Sequence, residues 1–136
     1  NCYMLFETPL TWADARAACN VIGSHLVSIG SSEENLVVDG LFQLSGITAT
    51  EAWIGLTDQF GEGTFIWAEG VGSYLAPVFT SWDTDQPDDD DLDPGCTECA
   101  DCAVFDSLDA STDANEVVWY DDDCTETKAY LCEHAW

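Results

Sequence analysis

The stretch Glu51-Ala52-Trp53-Ile54-Gly55-Leu56-Thr57 decides the fold class, because the hydrophobic period of the chain changes there. Ala52 to Leu56 is a short apolar run, and similar short or alternating runs follow at Phe65 to Trp67, Ala103 to Phe105, Val117 to Trp119 and Ala129 to Cys132. Separated by Gly and Asp, these runs read as antiparallel strands. Upstream the period is helical. Thr11 with Asp14 three residues on starts a helix over 11–20, with Trp12, Ala15, Ala18 and Cys19 on one side and Gly23 just past its end. Ser31 with Glu34 forms a capping box for a second helix over 32–44, with Glu33 at the positive end of the dipole and Leu36, Val37, Leu41 and Leu44 at helical spacing. Helices first and strands second, without βαβ alternation, indicate an α+β fold rather than a doubly wound sheet.

The chain has 136 residues, enough for a single domain over 1–136. Its 27 Asp and Glu face only Arg16 and Lys128, for a formal net charge of −25. Such a chain does not suit nucleic acid or an anionic membrane surface, since both are gripped by Lys and Arg. Cations are its natural counterparts. Six Trp, four Tyr and six Phe supply the apolar burial that disordered acidic chains lack. Seven Cys in a short chain point to an oxidising compartment, and hence to a secreted or extracellular protein with a disulfide framework and one thiol left over. The start at Asn1-Cys2 suggests a processed product or an excised module.

Almost nothing between Glu69 and Asp101 suggests regular structure, and so long a loop in a small domain is usually functional. Asp88, Asp89, Asp90, Asp91 and Asp93 crowd it, with Asp101 further on and Asp121, Asp122 and Asp123 beyond a predicted strand. A solvated acidic loop is the plain reading of such a run. Gln86-Pro87-Asp88 favours a site, because a cis peptide there lets two oxygen-bearing side chains point at one centre. Oxygen-only ligands select a hard cation, Ca²⁺ before Mg²⁺.

Order and spacing along nearly the whole chain resemble the C-type lectin-like domain family. The residues that carry the resemblance are Cys2-Tyr3, Trp12 with Cys19, His25-Leu26-Val27-Ser28-Ile29, Trp53-Ile54-Gly55-Leu56 and Phe65-Ile66-Trp67. They continue with Trp82 before Gln86-Pro87-Asp88, Trp119-Tyr120-Asp121 with Cys124, and Tyr130-Leu131-Cys132-Glu133. The resemblance implies two helices with small antiparallel sheets, a long Ca-binding loop, and disulfides joining Cys19 to Cys132 and Cys102 to Cys124. It makes Cys2 half of a bridge whose partner normally lies upstream. Cys96, Cys99 and Cys102 form a CxxCxxC run that alone suggests zinc or an iron–sulfur cluster. With Cys102 assigned by the family pattern and no fourth ligand following, a Cys96 to Cys99 disulfide is expected instead.

The same resemblance implies a sugar-binding calcium held by Gln86, Asp88 and Asp121, in the galactose-type QPD order rather than the mannose-type EPN. Two positions depart from the family pattern: Tyr120 stands where Asn is usual before Asp121, and Ala100 where Glu usually precedes Asp101. Glu98, or one of Asp90, Asp91 and Asp93, is the expected substitute ligand. No aromatic lies between Asp88 and Cys102, so Tyr120 is the expected stacking partner for the sugar. Asp58, Glu62, Asp89 and Asp101 match a second calcium position, and Glu33 with Glu133 a structural one. Trp53, Trp67 and Trp82 read as core.

No nucleophile motif is present, His25 reads as a core or hydrogen-bonded histidine, and the expectation is a binding protein rather than an enzyme. The function expected is calcium-dependent binding of a glycan with terminal galactose or a related sugar. The alternative is an acidic lectin-like structural, mineral-binding or cation-binding protein without sugar binding. An acidic, Lys-poor surface also suits high salt, which is compatible with either.

Overall fold

A computed structural model of the chain describes residues 1–70, 72–89, 100–107 and 117–135. It opens with β1 (Cys2–Leu10), a strand that the apolar pattern does not announce. β1 is half-buried along most of its length and pairs with one neighbour only, so neither face carries a clean alternation.

Helix α1 (Trp12–Val21) begins as its sequence dictates: Thr11 Oγ1 accepts from the Asp14 N–H at 3.3 Å, and Trp12, Ala15 and Cys19 are buried. Helix α2 (Ser32–Asp39) is capped by Ser31, whose Oγ accepts from the Glu34 N–H at 3.1 Å. It stops short of the predicted residue 44. From Gly40 to Gln43 the chain tightens into a 3₁₀ turn, where a glycine weakens helix propagation. The buried face also differs from the predicted one. Leu36, Val37 and Leu44 are 47, 58 and 57% exposed, while Asn35, Val38 and Phe42 point inward. Asn35 tolerates burial because both ends of its amide are used: Nδ2 donates to the Val117 carbonyl at 2.7 Å and Oδ1 accepts from Trp119 Nε1 at 2.9 Å.

The remaining strands are β2 (His25–Leu26), β3 (Glu51–Thr57), β4 (Ile66–Ala68), β5 (Tyr74–Leu75), β6 (Cys102–Asp106), β7 (Val118–Asp122) and β8 (Lys128–His134). The expected small antiparallel sheets are joined through one connected ladder. Its main path runs β1-β8-β3-β4-β5, with β6 beside β3, β7 beside β6 and β2 against β8. One pair is parallel: Ala52 lies opposite Ala129 and Trp53 opposite Tyr130. The antiparallel pairing of β1 with β8 fixes the direction of β8, and β3 then meets its other edge running the same way.

Two apolar clusters cover the two faces of this sheet. Ile54, Leu56, Phe105, Trp119 and Leu131 belong to one, and Trp12, Trp53, Val104 and Tyr130 to the other. Gly55 stands where a Cβ would lie 3.0 Å from the Leu26 carbonyl oxygen and 3.1 Å from that of Val27, which is why this strand carries glycine at its centre. Trp53 and Trp67 are core residues as expected, and Trp82 is partly buried against the Trp119 ring.

Disulfides join Cys19 to Cys132 and Cys102 to Cys124. The first ties α1 to β8 and the second ties β6 to the residues after β7, each constraining the unfolded chain by about 3 to 5 kcal/mol. Cys2 is a free, exposed cysteine. Cys96 and Cys99 lie outside the described residues. Among the described residues, no helix is long and apolar enough to cross a membrane.

Candidate functional site

The loop carrying Gln86, Pro87 and Asp88 is laid against β7 by backbone bonds. Trp119 donates its N–H to the Ser81 carbonyl at 2.8 Å, and Asp83 donates to the Trp119 carbonyl at 2.9 Å. The Gln86–Pro87 peptide is cis, and Asp85 and Asp89 on either side adopt positive φ, a conformation that Asp tolerates. Gln86, Asp88 and Asp121 come together there. Gln86 Nε2 donates to Asp88 Oδ2 at 3.0 Å, and the backbone N–H groups of Asp88 and Asp89 donate to the two carboxylate oxygens of Asp121 at 3.1 and 2.8 Å. The Asp121 N–H in turn points at Gln86 Oε1, 3.4 Å away. Burial raises the Asp121 pKa, and the two backbone donors pull it back only in part.

Asp58, Glu62 and Asp101 form a second grouping, each offering a carboxylate oxygen within 4.8 Å of the others. Asp58 follows directly after β3 and is 3% exposed. The two chain segments are laced together: Asp58 donates its N–H to the Asp101 carbonyl at 3.0 Å, and Thr57 Oγ1 donates to that same carbonyl at 2.6 Å. Gly63 donates its N–H to Asp58 Oδ2 at 2.9 Å. The opposite oxygen, Asp58 Oδ1, is buried and has no hydrogen-bond partner, and so is Asp101 Oδ1. Two buried carboxylate oxygens without a donor are costly unless a cation meets them. Desolvation, together with the neighbouring carboxylates of Asp58, Glu62 and Asp89, pushes Asp101 up to about 7. All-oxygen donors and an electron-rich gap of this kind fit calcium.

Of the expected pair Glu33 and Glu133, one is exposed and the other buried. Glu33 is exposed in the first turn of α2, accepting from Ser32 Oγ at 3.2 Å, and the local hydrogen bonds there lower its pKa. Glu34 is the residue that turns inward. It accepts from the Gly30 N–H at 2.8 Å and from the Tyr3 hydroxyl, and its charge acts on Glu133. Glu133 is 3% exposed and accepts from the Ser28 N–H at 3.2 Å and from the Asn1 amide. The helical phase explains the difference, since Asn35 and Val38 already claim the buried side and Glu34 adjoins it.

Tyr120, the expected stacking partner for the sugar, lies elsewhere on the sheet. It belongs to the apolar cluster on the face of the sheet opposite Trp119, its hydroxyl donates to Glu51 Oε2, and Lys128 Nζ lies 5.9 Å from its ring centroid. Alternation along β7 puts Tyr120 and Asp121 on opposite faces, so the Tyr120 ring does not stand beside Gln86 and Asp88. Glu98, Asp90, Asp91 and Asp93 lie outside the described residues. Ala100 is buried. His25 is a hydrogen-bonded histidine as expected, with Nδ1 2.7 Å from the Leu26 carbonyl oxygen.

Besides Glu34, two participants escape the sequence reading. Thr57, fully buried, locks Asp101 to β3, and Lys128 ties together acidic residues from two strands. The alternation along each strand was the available signal.

The family model of the Lectin C-type domain matches residues 8–134. The alpha-N-acetylgalactosamine-specific lectin of Patiria pectinifera is 35% identical over 98% of this chain and 73% of its own length. Lectin BRA-3 of Megabalanus rosa is 30% identical over 98% of this chain and 70% of its own. Among solved structures, the human scavenger receptor C-type lectin carbohydrate-recognition domain superposes with a TM-score of 0.79. It is 27% identical and covers 99% of this chain and 91% of that one.

Proposed function

The chain belongs to the C-type lectin domain family, and from that premise we propose that it is a secreted, calcium-dependent carbohydrate-recognition domain of galactose type, non-catalytic and folded as one unit over 1–136. The observation that carries the calcium requirement is the pair of buried, unpartnered oxygens on Asp58 and Asp101 beside Glu62. The two disulfides favour an oxidising, extracellular setting.

Gln86, Asp88 and Asp121 are assigned to the sugar-site calcium, and Asp58, Glu62, Asp89 and Asp101 to the auxiliary one. Glu133 with Glu34 is assigned to the structural position. When bound at the sugar site, calcium supplies a Lewis acid for the lone pairs of two neighbouring sugar hydroxyls. The protein does the rest of the recognition. Asp88 accepts from a hydroxyl, and Gln86 offers an amide donor to its neighbour, so the order of acceptor and donor selects the hydroxyl orientation that fits. The QPD order, and the similarity to a lectin named for N-acetylgalactosamine, support a terminal galactose-like sugar. Repulsion within the chain's 27 acids is relieved by the same cation.

Retention on immobilised galactose in calcium, release by EDTA, and poor retention on immobilised mannose are the expected results. Equal retention on both sugars would remove the galactose assignment, and retention that survives EDTA would remove calcium from the sugar site.

A further inference from the structure

Lys128 is one of only two Lys and Arg residues in the chain, and it is half-buried against the sheet instead of spread in solvent. Its side chain is 12% exposed, and Nζ reaches Glu51 Oε1 at 3.2 Å and Asp122 Oδ2 at 2.9 Å. The same ammonium lies over the Trp53 ring, 5.5 Å from its centroid, and over the Tyr120 ring at 5.9 Å. Glu51 completes the set by accepting the Tyr120 hydroxyl, and the charge of Asp106 is felt there as well.

These residues come from β8 (Lys128), β3 (Glu51), β6 (Asp106) and β7 (Tyr120, Asp122). The strands stand in the order β8-β3-β6-β7, so the contact joins strands that are not neighbours in the sheet. β7 is held by backbone pairing to β6, supplemented by a bridge between Trp119 and Trp82. Tyr120 and Asp122 are the two neighbours of Asp121, and both are fastened from behind while Asp121 faces the loop of Gln86 and Asp88.

We infer that Lys128, acting through Glu51, Tyr120 and Asp122, is the positioning residue of the sugar site: it pins the segment that presents Asp121. In this arrangement Tyr120 is the strut by which the back of the sheet holds the strand. The inference rests on the assignment of Asp121 to the sugar site.

Simple electrostatics predicts the opposite sign, which makes the inference testable. Removing a positive charge near a cation site strengthens cation binding by Coulomb attraction, whereas removing a positioning residue weakens it. The test compares the wild type with Lys128→Met, Lys128→Arg and Tyr120→Phe. Its readouts are galactose affinity in saturating calcium, and the calcium-induced rise in melting temperature as the report that the variant still folds and binds calcium. Lys128→Met is expected to lose galactose affinity by about 10- to 100-fold while keeping a calcium-induced rise in melting temperature, and Lys128→Arg is expected to restore most of the affinity. Tyr120→Phe removes only the hydroxyl and is expected to weaken affinity in the same direction. It decides the matter if Lys128→Met does not fold.

Galactose affinity equal to or above that of the wild type in folded Lys128→Met, or in Tyr120→Phe, would overturn the inference and leave the sugar site standing. A wild type that binds no galactose in calcium overturns the sugar-site assignment itself, and the inference with it.

Discussion

Asp89 donates its backbone N–H to Oδ2 of Asp121 at 2.8 Å, while its own carboxylate charge acts on Asp101. One residue therefore meets the Asp121 carboxylate with its main chain and acts on the grouping of Asp58, Glu62 and Asp101 through its charge. A cation among Asp58, Glu62 and Asp101 would also draw in the Asp89 charge, whose backbone bonds Asp121, so the two proposed calcium positions are expected to fill together.

The first prediction follows from that link. Asp121→Ala removes a ligand and also the acceptor for the N–H groups of Asp88 and Asp89. Galactose binding should be lost, and the calcium-induced rise in melting temperature should shrink without vanishing. An unchanged rise, measured by calorimetry in calcium and in EDTA, would show that the two groupings are independent.

pH supplies the second. In the metal-free protein Asp101 is raised to about 7, chiefly by desolvation, against about 3.9 for an Asp in the unfolded chain. The folded state then holds more protons than the unfolded one between those values, so stability is fully present below about 4 and declines as pH rises through 7. Burial raises Asp121 and Glu133 as well, which adds in the same direction. In EDTA the melting temperature should be higher at mildly acidic pH than at neutral pH. In calcium the order should reverse, because the metal needs the carboxylates deprotonated. Asp101→Asn should flatten the EDTA profile. A metal-free protein that gains stability from acidic to neutral pH contradicts this account.

Specificity gives the third. Gln86→Glu combined with Asp88→Asn exchanges the donor and acceptor sides while Asp121 stays in place. Preference should move from galactose-like towards mannose-like sugars, as read by competition between the free monosaccharides. A variant that binds calcium yet keeps its galactose preference would move the origin of specificity elsewhere.

The fourth concerns the scaffold. Asn35→Ala leaves Trp119 Nε1 buried without its acceptor, while the Val117 carbonyl keeps the Ser81 hydroxyl, which should cost about 1 to 3 kcal/mol by denaturant titration. Since Trp119 backs the strand that carries Asp121, galactose affinity should fall with it. A cost under about 1 kcal/mol would mean that water replaces the Asn35 amide.

Much of this was legible in the chain. The caps at Thr11 and Ser31 and the apolar strand around Gly55 rest on local rules, which tertiary contacts reinforce, while the pairing of Cys19 with Cys132 and of Cys102 with Cys124 was legible only through the family resemblance. What escaped depended on partners distant in sequence. β1 is an edge strand made by its pairing with β8, β5 is two exposed residues, and the parallel meeting of β3 and β8 follows from the placement of both chain ends. Asn35 is polar, yet it owns the inner face of α2 through Trp119, and that displaces the apolar stripe expected at Leu36 and Val37. Glu34 rather than Glu33 faces Glu133 for the same reason of helical phase. At Tyr120 the family pattern draws attention to the calcium, while strand alternation sends the ring to Lys128 and Glu51.

A glycan array probed with the wild-type protein, once in calcium and once in EDTA, tests the central claim most directly. Binding concentrated on glycans with terminal galactose or N-acetylgalactosamine in calcium, and abolished in EDTA, is the predicted result. No glycan bound in calcium, by a protein that calcium nevertheless stabilises, would contradict it and favour an acidic, cation-binding lectin fold without sugar recognition.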